Sequence, residues 1–182
     1  MGKSILLNEK QLEISLDRLA CQLTENHSDF KNTVLVGLQP RGVELCNKII
    51  NILSEKYNLP NINFGYLDIT FFRDDFRRSE DVLIPNKTEF KLLVEDKHVV
   101  FIDDVLYTGR TIRAALTAIE TFGRPKTIEL LVLVDRRFSR ELPIQPDYKG
   151  IQVDVYDDQK VNVGWNNKKF GNYIYLENIE NG

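Results

Sequence analysis

Two adjacent carboxylates, Asp103 and Asp104, stand four residues before a Thr108-Gly109-Arg110-Thr111 turn in the stretch VVFIDDVLYTGRTIR. Gly109 permits a tight turn and a close backbone approach to a ligand. The hydroxyls of Thr108 and Thr111 and the amides of an opening helix would converge on an anion at the positive end of that helix. A monophosphate suits such a turn. Two acidic acceptors just upstream would then lie near the hydroxyls of a sugar carrying that phosphate, so the pattern predicts a site for a phosphorylated sugar.

Two further turns carry unusual residues. Gln39-Pro40-Arg41-Gly42 follows the run Thr33 to Leu38, and Asp135 to Arg140 follows Thr127 to Val134. Neither the Gly-x-Gly-x-x-Gly spacing of a dinucleotide fold nor the Gly-x-x-x-x-Gly-Lys-Ser/Thr of a P-loop is present. In an open α/β sheet ligands bind where strand-end turns cluster. These three turns are therefore expected at one sheet edge.

The elements that must position them read clearly. Asn8 and Gln11 have the spacing of a capping box. Leu12, Leu16, Leu19, Ala20 and Leu23 then recur at helical spacing. TVLVGL, from Thr33, and TIELLVLV, from Thr127, are continuous apolar runs of the kind buried on both faces. A third such strand, Val99 to Ile102, is expected to end on Asp103-Asp104. Helical periodicity follows the first turn from Val43 to Leu53 and the second from Thr111 to Thr121, where Ile112, Ala115, Leu116 and Ile119 are expected to face inward and Gly123 to end the helix. Alternating strands and helices predict an α/β fold with a mainly parallel central sheet flanked by helices. Beyond Pro143 the runs around Val153, Val161 and Ile174 are expected to be short strands capping the domain.

Composition narrows the partners. The 182 residues are 42% hydrophobic and carry a formal net charge of -3, which suits one domain, 1–182, with a small-molecule ligand better than a broadly basic nucleic-acid surface. Cys21 and Cys46 have neither metal-ligand nor disulfide spacing. With no long apolar span, a cytoplasmic protein is expected. His27 and His98 are expected at the surface. The polar stretch from Arg73-Asp74-Asp75 to about residue 91 is too long for an ordinary connection and is expected to be a flexible lid.

VVFIDDVLYTGRT resembles the phosphoribosyl diphosphate (PRPP) motif of the type I phosphoribosyltransferases. LVGLQPRG, LDITFFRDDF, FGRP and VDRRFSRELPIQPDY, taken in order with it, resemble more narrowly the branch that joins uracil phosphoribosyltransferase activity to regulation of pyrimidine operons. Purine and orotate transferases share the central motif but not RELPI-x-x-DY.

The resemblance implies a uracil phosphoribosyltransferase making UMP and diphosphate from uracil and PRPP, with Mg²⁺ held mainly by PRPP rather than by a dedicated protein cage. It implies that Asp103 and Asp104 hold the ribose hydroxyls, that Tyr107, Thr108, Gly109, Arg110 and Thr111 cradle the 5-phosphate, and that Val105 and Leu106 between them belong to the same PRPP-binding stretch. Gln39, Pro40, Arg41 and Gly42 match the loop for the leaving diphosphate, with a cis bond expected before Pro40 because proline lowers its cost. Arg73, with Asp74 and Asp75, matches the start of a mobile hood loop, Arg73 adding positive charge near the diphosphate. Val134, Asp135 and Arg136 match the base-binding end. A homodimer or higher homo-oligomer is implied as well.

The same resemblance implies an alternative, a UMP- or UTP-responsive regulator that binds operon mRNA. Regulatory members present a Thr-Arg pair and, one turn on, a His on the first helix, where this chain has Asp17-Arg18 and Cys21. They also tend to carry Arg and Lys where Gln145 and Ile151 stand here. These departures remove positive charge from the surface that would meet RNA phosphates, so the enzyme is the favoured reading, with Arg136, Arg137 and Arg140 left as a candidate basic patch.

Overall fold

The computed structural model describes residues 3–72, 93–156, 159–168 and 171–178. Helix α1 (Glu9–His27) begins where the sequence predicts: the Asn8 side chain accepts from the Gln11 amide while the Gln11 side chain accepts from the Asn8 amide, each at 3.0 Å. Its five predicted apolar positions are all buried. Strand β2 (Thr33–Leu38) is buried at every residue and feeds α2 (Gly42–Lys56). Strands β3 (Asn63–Leu67), β4 (His98–Leu106), β5 (Thr127–Arg137) and β6 (Tyr148–Asp154) join β2 in a five-stranded sheet ordered β3-β2-β4-β5-β6, parallel throughout.

Helices cover both faces, which is why the strands are apolar without alternation. On one face, Leu12, Leu16 and Leu23 of α1 and Leu45, Ile49 and Leu53 of α2 pack on Val100, Ile102, Leu131 and Leu133. On the other, α3 (Arg110–Ile119) packs Ile112, Ala115 and Ile119 on Val34, Val36, Val99, Phe101 and Val132. Leu116, expected inward, is instead at the rim, 37% exposed. Ala114 and Ala118 are buried in the same cluster as Ile112, Ala115 and Ile119. Gly123 closes this unit with φ +125°.

Three expectations are corrected. Strand β4 does not end on the aspartate pair but continues to Leu106, because β5 pairs with it as far as Leu106 opposite Asp135. The region after Pro143 does not all form a cap: β6 extends the main sheet, and only β7 (Gln159–Asn167) and β8 (Gly171–Asn178) join β1 (Lys3–Leu7) in a separate antiparallel sheet ordered β1-β8-β7. His27 is not a surface residue. Its ring is 4% exposed, 3.1 Å from the Glu129 carboxylate and 3.0 Å from the Thr33 hydroxyl. Among the described residues no helix is long and apolar enough to cross a membrane.

Candidate active site

Strand register assembles the site at the carboxyl edge of the sheet. Gly37 of β2 lies opposite Ile102 of β4, which sets the loop at Gln39–Gly42 beside Asp103 and Asp104. The contact is close. A Cβ on Gly42 would fall 2.1 Å from the Ile102 carbonyl oxygen, so only glycine lets α2 start this near to β4. The Gln39–Pro40 peptide is cis, as expected. On the other side of β4, Leu106 lies opposite Asp135, so Tyr107, just past the end of β4, lies beside Arg136; β5 does not turn at Asp135 as expected but runs on to Arg137, paired with β6.

Between these loops lies a cavity of 690 Å³, a size suited to a small phosphorylated ligand. Gln39, Pro40 and Arg41 line one wall and Asp103 to Leu106 its floor. Tyr107 to Thr111 line the opposite wall, where α3 begins after Gly109 at φ +93°. Gly42, the first residue of α2, does not line the cavity. Of the residues matched to the base end, Arg136 lines the cavity, with its guanidinium 3.9 Å over the Tyr107 ring centroid. Val134 is fully buried within β5, and Asp135 turns its carboxylate to Arg140 and Gln152. Arg73, Asp74 and Asp75, with the rest of the expected lid, lie outside the described residues.

Electrostatics set the two carboxylates apart from ordinary surface acids. Asp103 and Asp104 are each 6% exposed. Asp103 Oδ1 accepts the Asp104 amide at 2.9 Å. Burial pushes the Asp104 carboxyl above the usual range, and the positive charge of Arg41 pulls partly the other way. Such a carboxylate gains from a cationic or hydrogen-bond-donating ligand, because donors replace the water it has lost. Among the described residues no three His, Cys, Asp or Glu side chains cluster as a metal cage. Two adjacent oxygen-ligand side chains suit Mg²⁺, a cation that keeps most of its coordination to water and substrate.

Gln159, Lys160 and Val161 of β7 also line the cavity, closing it from the antiparallel sheet. Sequence reasoning reads this stretch only as a capping strand. Its one signal is the alternation around Val161, which tells of a strand and nothing of what it faces. The three arginines of the candidate basic patch each have a specific contact. Arg136 stacks in the cavity, Arg137 pairs with Asp154 across β5 and β6, and Arg140 bonds Asp135.

A parallel sheet with a carboxylate pair and a phosphate-type helix start at its carboxyl edge, closed by a small antiparallel sheet, is the architecture of a type I phosphoribosyltransferase. Solved structures share it: a hypoxanthine phosphoribosyltransferase of Trypanosoma cruzi superposes with a TM-score of 0.68 at 17% identity, covering 97% of each chain. One from Staphylococcus aureus gives 0.66 at 21%, covering 87% of this chain and 80% of that one. At such identities the likeness is one of fold. Residues 2–167 match the family model described as the phosphoribosyl transferase domain. The bifunctional protein PyrR of Picosynechococcus sp. is 41% identical over 90% of this chain and 92% of its own, and that of Haemophilus ducreyi 40% identical over 88% and 89%. The chain belongs to the phosphoribosyltransferase family, in the branch of the bifunctional PyrR proteins.

Proposed function

We propose that this protein transfers the phosphoribosyl group of PRPP to uracil, giving UMP and diphosphate. The observation that carries the reading is the single cavity that joins a buried carboxylate pair, an α-helix start, and an arginine-bearing loop. The 5-phosphate meets the amides and hydroxyls at Thr108 to Thr111. Asp103 and Asp104 accept hydrogen bonds from the ribose 2- and 3-hydroxyls. Arg41 faces the diphosphate as a charge-assisted donor. The anomeric C–O bond breaks with its electron pair leaving on diphosphate, while N1 of the base forms the new C–N bond and its proton passes to the departing diphosphate. When bound, Mg²⁺ supplies charge neutralisation to the diphosphate oxygens.

Arg136 and the β7 segment Gln159 to Val161 bound the end of the cavity where the base would sit. A base panel tests the assignment. Uracil should be the base consumed with PRPP and Mg²⁺, with UMP as product; turnover of hypoxanthine, guanine or orotate and not of uracil would overturn it.

The bifunctional naming of the relatives favours a second reading, an RNA-binding regulator of pyrimidine genes. In this chain Asp17 pairs with Lys56 at 2.5 Å, and the Arg18 guanidinium donates to the Gly150 carbonyl. Both charges are thereby paired, Arg18 against the β6 backbone and Asp17 in a half-exposed surface ion pair. Tight, salt-sensitive binding to the transcript leader of its own operon would put the regulator first.

A further inference from the structure

Residues 140–144 after β5 lie along the loop that follows β4, with Glu141 and Pro143 exposed and Arg140, Leu142 and Ile144 half-buried. The amides of Glu141 and Leu142 both donate to the Thr108 carbonyl, at 3.0 and 3.2 Å. The Glu141 carboxylate pairs with Arg110 at 2.5 Å. A Cβ on Gly109 would come 3.2 and 3.3 Å from the side chains of Ile144 and Leu142, so this segment packs directly against the turn.

Arg140 joins that segment to the other end of the site. One of its terminal nitrogens donates to the Tyr107 carbonyl and the other to Oδ1 of Asp135. Asp135 is 4% exposed, and its second oxygen accepts from Gln152 at 2.9 Å. Arg140 itself does not line the cavity, whereas its neighbours Tyr107, Arg136 and Glu141 do. Whatever it contributes must pass through them.

From this we propose that Arg140 is a positioning residue that holds the phosphate loop and the base end of the site in one arrangement. A planar guanidinium with donors on two separate nitrogens can bridge a carbonyl and a carboxylate together; an ammonium is a point charge and holds such a bridge less well. The bridge aligns Tyr107, whose ring carries Arg136, with the amides that follow it at Thr108 to Arg110. It also neutralises a buried carboxylate next in sequence to Arg136. Both substrates should therefore feel its loss, although it touches neither.

The inference rests on the phosphoribosyltransferase reading but not on the choice of uracil. The test uses the full chain, with PRPP binding followed by calorimetry and steady-state kinetics on whichever base the wild type consumes. R140Q should weaken PRPP binding about tenfold or more and raise the KM for the base, with kcat at saturation much less affected. R140K keeps a charge for Asp135 but loses the two-ended bridge, so it should fold and still show weakened PRPP binding. D135N combined with R140Q should lose less than the product of the two single effects, because the neutral side chain no longer needs a cation. Wild-type PRPP binding in R140K, or an effect of R140Q confined to thermal stability or to RNA binding, would overturn the proposal. Wild-type protein that binds PRPP but turns over another base overturns the uracil assignment alone.

Discussion

The Arg136 guanidinium sits 3.9 Å above the ring centroid of Tyr107, two residues brought side by side by the pairing of Leu106 with Asp135. Both residues line the cavity, and in the proposed reading Tyr107 opens the phosphate wall and Arg136 the base wall, so the stack would join the two. With Arg136 buried but the Tyr107 ring 41% exposed, a cation–π contact of this kind contributes about 1 kcal/mol. R136K forfeits the planar stack and should raise the KM for the base by about tenfold while PRPP binding changes less. Unchanged saturation with the base would remove Arg136 from the site.

Asp104 should show a conflict between stability and function. Burial raises its carboxyl above the unfolded value of 3.8, with Arg41 opposing. A folded-state value above the unfolded one means that the folded protein binds this proton more readily, so the ionised group costs stability at neutral pH and the cost fades as pH falls through the raised value. D104N should therefore raise the melting temperature of the ligand-free protein at pH 7, by about 2–4 °C for each kcal/mol recovered. The gain should shrink toward pH 4, and PRPP binding should be lost. A lower melting temperature at pH 7 would contradict this account.

Gly42 is expected to be intolerant of any side chain. The atom it would meet is a backbone oxygen, the Ile102 carbonyl at 2.1 Å, so no rotamer change relieves the clash. G42A should cost about 1–3 kcal/mol and disturb the loop that carries Arg41. G37A is the informative contrast, since its nearest neighbours are the side chains of Cys46 at 3.0 Å and Tyr66 at 3.1 Å. Denaturant midpoints should fall further for G42A than for G37A; the reverse order would show that α2 moves freely against β4.

The two thiols should differ sharply in reactivity. Cys46 is buried in α2 and its thiol is pushed up to about 12 by that burial, whereas Cys21 is only half-buried. Since the thiolate is the reactive form, a thiol-reactive chromophore at pH 8 should titrate one cysteine in the native protein and two after denaturation. Two fast-reacting thiols in the native state would show that the packing around Cys46 opens.

Local pattern was enough for much of the fold. The capping box at Asn8 and Gln11 and the apolar stripe of α1 depend on residues three or four apart, and both are found where the pattern predicts. The buried strands β2, β4 and β5 were legible because a strand covered by helices on both faces has few polar positions. Around Asp103 the same logic stopped too early. An aspartate pair is a poor strand former, yet backbone pairing with β5 carries β4 on to Leu106.

By itself, then, the sequence determined the carboxylate pair, the Thr-Gly-Arg-Thr turn and the alternation of strands and helices, all set by short-range spacing, while the cis bond before Pro40 was expected from the family resemblance. Only the tertiary structure decided that β6 joins the main sheet, that Gln159 to Val161 face the cavity, and that His27 is buried against Glu129, 102 residues away. It also decided that Arg140 bridges Tyr107 and Asp135 rather than forming an open basic patch. The physical reason is common to these cases. Periodicity records which side of an element is apolar, whereas the partner it meets depends on sheet order and register, which bring together residues that no local pattern links.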